Sequence, residues 1–331
     1  MPRLTDPLGV GSRTLTNRII MPPMANNLAT EEGLVTDALL DHYRERSRGP
    51  ALVVVEHTYV TGPGRVNRHQ LGVWDDRCVS GLGRLAEAIH EGGALAVLQI
   101  THGGARCPAK VTGLQPVAPS EVRVPGDAED PRALTLDDIA RIPPLFAAAA
   151  ARAAAAGFDG VEVHGAHGYL LNEFVSPYTN RRADAYGGDA AARLRLTQET
   201  LMAVQTALGD EHLLLYRFGV VDDVPGGLTP EDAAALAPCL EGWGVHLLDC
   251  SGGLCGSRPA GRTDPGFFIP AAATVKRAVT IPVSGVGGIG DPLFADSLVQ
   301  NQVVDAVCVG RAQLEDPGWA LRALATVAGA G

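Results

Sequence analysis

The stretch "FDGVEVHGAHGYLLNEFVSP", Phe158 to Pro177, decides the fold. It opens on a short apolar run of the length of a buried strand, Gly160 to His164. An Ala-rich helical pattern ends just before it, at Ala156. Directly after it stand His164, His167 and Tyr169. Helix, buried strand and polar exit together form the repeating unit of a parallel sheet. In a closed barrel of such units, chemistry sits at the carboxyl ends of the strands.

The same unit recurs on both sides. Strands are expected at Arg18–Pro23, Ala51–Val60, Ala94–Ile100, Gly160–His164, Leu213–Phe218, His246–Gly253, Ile281–Gly288 and Asp305–Arg311. Helical patterns alternate with them. Thr36 can cap one that runs to Arg48, and Gly92-Gly93 end another from Ser80 to Glu91. One helix is expected from Thr135 to Ala156, and the last from Pro317 to Val327. Polar excursions cover Thr101–Leu134 after strand three and Ser176–Asp189 after strand four. Eight strands alternating strictly with eight helices predict an α/β protein, a single (β/α)8 TIM barrel. The expected domain is residues 1–331, with a β-hairpin ahead of the first strand.

Composition narrows the partners. The net charge is −10 and no basic stripe is present, which argues against nucleic acid. No apolar run approaches a membrane span, and the N-terminus has no signal-like apolar region, so a cytoplasmic protein is expected. The six cysteines form no Cys-x-x-Cys, so no metal centre is expected and the thiols read as reduced.

"GVGGIG", Gly285 to Gly290, matches a dinucleotide fingerprint. That reading needs an acid at the tip of the next strand, which instead ends in Gly310-Arg311. The barrel offers a better one: loops after strands seven and eight, with a short helix N-terminus, form a phosphate site. Glycines let backbone N–H groups approach the oxygens, and Arg311 adds a charge-assisted pair.

The histidine pair admits four readings: metal ligands, satisfied histidines in a polar mouth, general acid/base catalysis without a cofactor, or an oxyanion clamp. A metal would want a third ligand; Glu162 and Glu173 are the nearby candidates. The clamp fits best. Two imidazole N–H donors on one carbonyl oxygen would stabilise a forming enolate, and Tyr169, neutral at pH 7, can deliver a proton. With a phosphate-anchored cofactor, this suits reduction of a C=C bond conjugated to a carbonyl.

The segment from His164 to Gly188, "HGAHGYLLNEFVSPYTNRRADAYGG", resembles the corresponding motif of the Old Yellow Enzyme family of FMN-dependent ene-reductases. "LTNRIIMPPM", "LQITHGG", "LLDCSGG", "VSGVGGI" and "VGRAQLEDP" follow in the family's order, so the resemblance covers essentially the whole chain. It implies FMN as cofactor, NADPH or NADH as reductant and a small activated alkene as substrate, in ping-pong turnover. His164 and His167 would hold the substrate carbonyl, and Tyr169 would donate the proton. Gln99 would meet the flavin pyrimidine edge, and Arg217 would stand near flavin N1. Pro23, Met24 and Ala25 would lie along the ring system; Gly253, Gly287, Gly288, Gly310 and Arg311 belong to the cofactor site. Asn180, Arg182, Asp184, Tyr186 and Arg193 would hold the loop after strand four.

This chain departs from the family's pattern in three places. Ala25 stands where members often carry Cys or Thr, His57 where a small residue is common, and Asn26-Asn27 where an aromatic often enters the pocket. His57 is expected to touch the flavin or the substrate, or to fill the mouth. An FMN-dependent amine or alcohol dehydrogenase, or a demethylase, is the alternative on the same scaffold. A non-redox phosphate-binding barrel lyase or isomerase is a further one. The cysteine cluster of larger relatives is absent, so a stand-alone enzyme is expected. The tail "LATVAGAG" lacks the arginine some members lend to a neighbour, leaving a homo-oligomer open.

Overall fold

The computed structural model describes residues 1–330; Gly331, the last residue of the expected domain, lies outside them. Eight parallel strands close into a barrel in chain order. They are Ile19–Met21, Leu52–Tyr59, Leu95–Thr101, Gly160–Gly165, Leu213–Gly219, Leu247–Ser251, Val283–Gly285 and Ala306–Cys308. The last pairs with the first, Val307 opposite Ile19, which leaves no open edge. The expected barrel is therefore the observed one.

Alternation along each strand sorts side chains into two cores. Ile20, Leu52, Val54, Val97, Leu213, Leu215, Leu247 and Ala306 share one cluster inside the barrel. Their neighbours Val53, Val55, Leu98, Val161, Val163, Leu214 and Leu248 face the helices in the other. The expected hairpin pairs Leu8–Val10 with Arg13–Leu15. Its Val10 and Leu15 are fully buried in the inner cluster, so the hairpin plugs the amino end of the barrel. Each such buried side chain is worth about 1.5–3 kcal/mol.

The helices differ from expectation in two places. The helix expected from Thr135 to Ala156 is two, Leu136–Ala140 and Ile142–Ala155. Pro143 and Pro144 lack the N–H groups that would continue the first ladder, so the chain restarts at Arg141. The first piece is secured by a capping box between Thr135 and Asp138. The helix expected from Pro317 is observed from Trp319 to Gly329, preceded by a five-residue helix, Arg311–Glu315. A further short helix, Leu170–Val175, follows the fourth strand. The strict eight-and-eight alternation is thus broken by short extra helices at the carboxyl face.

The two excursions lock onto each other. Arg182 donates to Pro119 O (2.8 Å) and Leu134 O (2.7 Å) of the first excursion. Asn180 donates to Phe174 O and Tyr186 O, both at 2.7 Å. No helix among the described residues is long and apolar enough to cross a membrane.

Candidate active site

Inside the barrel the apolar layer gives way to polar residues toward the carboxyl ends of the strands. Strand alternation dictates which ones. Leu213 and Leu215 face inward, so Arg217 does; Leu247 faces inward, so Asp249 and Ser251 do; Val161 and Val163 face outward, so Glu162 and His164 face inward. Gln99 follows Val97, and Ser284 follows the outward Val283, by the same parity.

These groups form one buried polar layer. Gln99 donates to Glu162 Oε1 at 2.7 Å. Arg217 pairs with Asp249. Asp249 also accepts from Ser284 Oγ at 3.0 Å and Cys308 Sγ at 3.2 Å. Burial alone would lower the Arg217 pKa, but Asp249 and Glu162 outweigh it and hold the guanidinium above its ordinary value. Burial and the neighbouring Asp249 push Glu162 well up from the carboxylate range. Arg217 Nε and Glu162 Oε2 are buried without a protein partner. A buried guanidinium N–H left unpaired costs free energy, so a polar ligand group is called for beside it.

Above this layer opens a cavity of about 390 Å³. Pro23, Met24, His167, Arg217, Gly288, Gly310 and Arg311, seven of the residues singled out from sequence, line it together. A side chain at Gly310 would meet Met24 Sδ at 2.5 Å, so glycine keeps that corner open. Arg311 lies 5.5 Å over the Phe267 ring, at the start of the five-residue helix. Gly253 and Gly287 are not among the residues that line the cavity. The Gly253 N–H is committed to Val221 O at 2.7 Å, and the Gly287 carbonyl accepts from Gly266 at 2.5 Å. Ala25 is exposed and offers only a methyl group.

Sequence reasoning missed part of the wall. Ser257, Arg258 and Thr263, from the loop after the sixth strand, join it. The polar run "GSRPAGRT" (Gly256–Thr263) was the available signal. It also missed Asp249, the partner of Arg217, although alternation from Leu247 would have found it. The cavity suits a flat, phosphorylated cofactor. A proline- and methionine-lined wall faces it, an arginine with a free N–H stands inside, and glycines with a second arginine close one end.

The histidines stand at its side. His164, the penultimate residue of its strand, is buried, and its Nδ1 accepts the Ala166 N–H at 3.2 Å. The proton of the neutral ring therefore resides on Nε2. His167 lies 5.1 Å from it, ring to ring, and its Nε2 contacts Ser251 Oγ at 2.8 Å. His167 adopts φ +60° and Gly168 φ +66°, a left-handed pair that turns the chain back over the strand ends. A non-glycine residue there is strained. The turn is held by the His167 N–H on Gly252 O (3.0 Å), by Arg106 on His167 O and by the Gly168 N–H on Asn172 Oδ1 (2.8 Å). Arg106, which sequence reasoning did not single out, also donates to Leu254 O at 2.8 Å.

Tyr169 packs against His164 at 4.8 Å and against His57 at 5.7 Å. Burial holds both site imidazoles well below the usual histidine range, helped at His164 by the neighbouring His167 and at His167 by the charges of Arg217 and Arg106. Burial pushes Tyr169 up to about 12. The site at neutral pH thus holds neutral N–H donors and a protonated phenol. Glu173, weighed as a metal ligand, instead accepts the Ala105 N–H at 3.1 Å. Among the described residues no group of three His, Cys, Asp or Glu side chains is arranged to hold a metal ion.

Residues 3–328 match the family described as NADH:flavin oxidoreductase / NADH oxidase. The chain is 41% identical to an NADH oxidase of Thermoanaerobacter brockii over 97% of its length, and spans half of that relative. It is 36% identical to an NADPH dehydrogenase of Halalkalibacterium halodurans, over 92% of this chain and 89% of the relative. Among solved structures, the old yellow enzyme homologue from Zymomonas mobilis superposes with a TM-score of 0.87 at 28% identity. That match covers 98% of this chain and 93% of the other.

Proposed function

The chain belongs to the NADH:flavin oxidoreductase / NADH oxidase family, FMN proteins with NADH or NADPH as reductant, and on that premise we propose that it is an ene-reductase acting on small α,β-unsaturated carbonyl compounds. The observation that carries this reading is the pair of neutral imidazoles, with a protonated tyrosine against them, beside an arginine-lined cavity. FMN, when bound, supplies a two-electron relay that takes hydride from NADPH or NADH and passes it to the β-carbon of the alkene.

The protein's own groups do the rest. Arg217, with its unpaired Nε, and Gln99 would hold the polar edge of the ring system; Pro23 and Met24 would lie along it. Gly288, Gly310 and Arg311 would take the phosphate. His164 Nε2–H donates to the substrate carbonyl. His167 Nε2 lies 2.8 Å from Ser251 Oγ; with the hydroxyl as donor in that contact, the His167 Nδ1–H would be left for the same oxygen. Neutral donors suit this task, since they stabilise enolate charge as it develops without carrying charge into the ground state. Tyr169 then gives its proton to the α-carbon. Its high pKa keeps the hydroxyl protonated across the neutral range. The six unpaired cysteines fit a reducing, cytoplasmic setting.

The test is an anaerobic absorption experiment on the purified protein. NADPH should bleach a flavin spectrum, and cyclohexenone should restore it. Bleaching without recovery overturns the ene-reductase reading. A colourless protein that takes up no FMN overturns the flavin reading itself.

A further inference from the structure

The second strand carries an irregularity that concerns the substrate rather than the cofactor. Leu52 and Val54 face the barrel interior, so unbroken alternation would send Glu56 inward and His57 out to the helices. The register with the third strand shifts between Val55 and Thr58. A bulge of this kind re-aims side chains. Glu56 turns to the strand-one exit, where it accepts the Asn26 N–H at 3.1 Å. His57 turns to the site and meets the Tyr169 ring at 5.7 Å.

His57 is held there with care. Gln70 Nε2 donates to both His57 Nδ1 (2.7 Å) and His57 O (2.9 Å). The orientation of that amide is fixed because Gln70 Oε1 accepts the Val66 N–H at 2.7 Å and the Asn67 N–H at 3.4 Å. His57 Nδ1 is therefore an acceptor, and the proton of the neutral ring sits on Nε2. Nothing in the protein accepts it among the hydrogen bonds of the described residues. His57 and Gln70 are only 8% and 2% exposed. The Tyr169 ring bridges His57 and His164, each of which presents an Nε2–H.

We propose that His57 is a specificity-determining residue, a third N–H donor that favours alkenes flanked by two carbonyls, the 1,4-enedione class, over simple enones. This rests on the ene-reductase reading above. In an enone, His164 and His167 take the one carbonyl oxygen. In a 1,4-enedione a second carbonyl is attached to the β-carbon, away from the first, and His57 receives its oxygen across Tyr169. The reaction keeps its balance: hydride from NADPH, through FMN, goes to one alkene carbon and the Tyr169 proton to the other. The C=C bond is lost and both carbonyls remain. A site built to bond a second oxygen discriminates against the analogue that lacks it.

The experiment compares kcat/KM for 2-cyclohexene-1,4-dione and 2-cyclohexenone in the holoenzyme and in His57→Leu and His57→Gln. Leucine fills similar space without a donor; glutamine keeps an N–H. The dione-to-enone ratio should fall about tenfold or more in His57→Leu and stay within about threefold in His57→Gln. An unchanged ratio in His57→Leu overturns the inference. If that variant does not fold, His57→Ala carries the same comparison. Affinities for 4-hydroxybenzaldehyde and 4-methylphenol, read from the flavin spectrum, separate the two readings. If wild type turns over neither alkene, ene-reduction fails. The donor role of His57 then stands if the affinity ratio drops about tenfold in His57→Leu, and falls if it does not.

Discussion

His164 can donate from Nε2 because its other ring nitrogen is already occupied. The Ala166 N–H on Nδ1 fixes the tautomer, and burial keeps the ring neutral, so the donor needs no reorganisation when charge develops. His164→Ala should therefore slow the oxidative half-reaction by about 10²–10³-fold. Affinity for phenol-type ligands should fall with it, while FMN content stays as in the parent. Stopped-flow traces with NADPH and then cyclohexenone, beside a phenol titration, check this. A variant that reoxidises at the parent rate removes His164 from the clamp. The His-x-x-His-x-Tyr spacing was legible because it follows a strand. The tautomer was not, since it depends on where one backbone N–H points after the turn.

At the scale of elements, the wall of the cavity is made where strands end and short helices begin. Gly310 is the junction between the eighth strand and the Arg311–Glu315 helix, and a Cβ there meets Met24 Sδ from the first strand exit. Met24 can swing aside, so Gly310→Ala should leave the melting temperature almost unchanged. It should still weaken FMN retention by about tenfold, because the displaced side chain is itself a cavity wall. Flavin release on dilution, measured by fluorescence, tests it; parent-like retention would mean the corner has room to spare. Gly288 and Gly310, which line the cavity, were legible in the sequence because tight turns at strand exits call for glycine. The Ser257–Thr263 loop was missed because nothing local says which of several polar loops folds over the mouth.

For the whole molecule, the buried titratable groups set how stability depends on pH. Burial lowers His57 and His102 to about 4, and holds His164 and His167 well below the ordinary value near 6.5. Between pH 6.5 and 4 the unfolded chain takes up protons that the native state refuses, so stability falls as pH falls through that window. Glu56 works the other way. Burial raises it to about 8, so the native state keeps a proton the unfolded chain releases from about 4.5 upward. Its contribution is present at low pH and is lost as pH rises through 8. Thermal melts across pH 4.5–9 should show a maximum near pH 6.5, and Glu56→Gln should flatten the alkaline limb. An alkaline limb identical in the variant would show that Glu56 is not held protonated.

The sequence by itself determined the barrel, because burial on both strand faces, polar exits and helix patterns are local signals repeated eight times. It also marked the strand-end residues from which the site is drawn, since chemistry on this architecture has one face to occupy. Only the tertiary structure decided which of those residues meet. Arg217 finds Asp249 across neighbouring strands, Tyr169 bridges His164 and His57, and Gly253 spends its N–H on Val221 O. The fate of His57 shows why. Alternation sends it outward, and a one-residue shift in pairing with the third strand brings it into the site. Register is a property of two strands packed together, and no single stretch of chain encodes it alone.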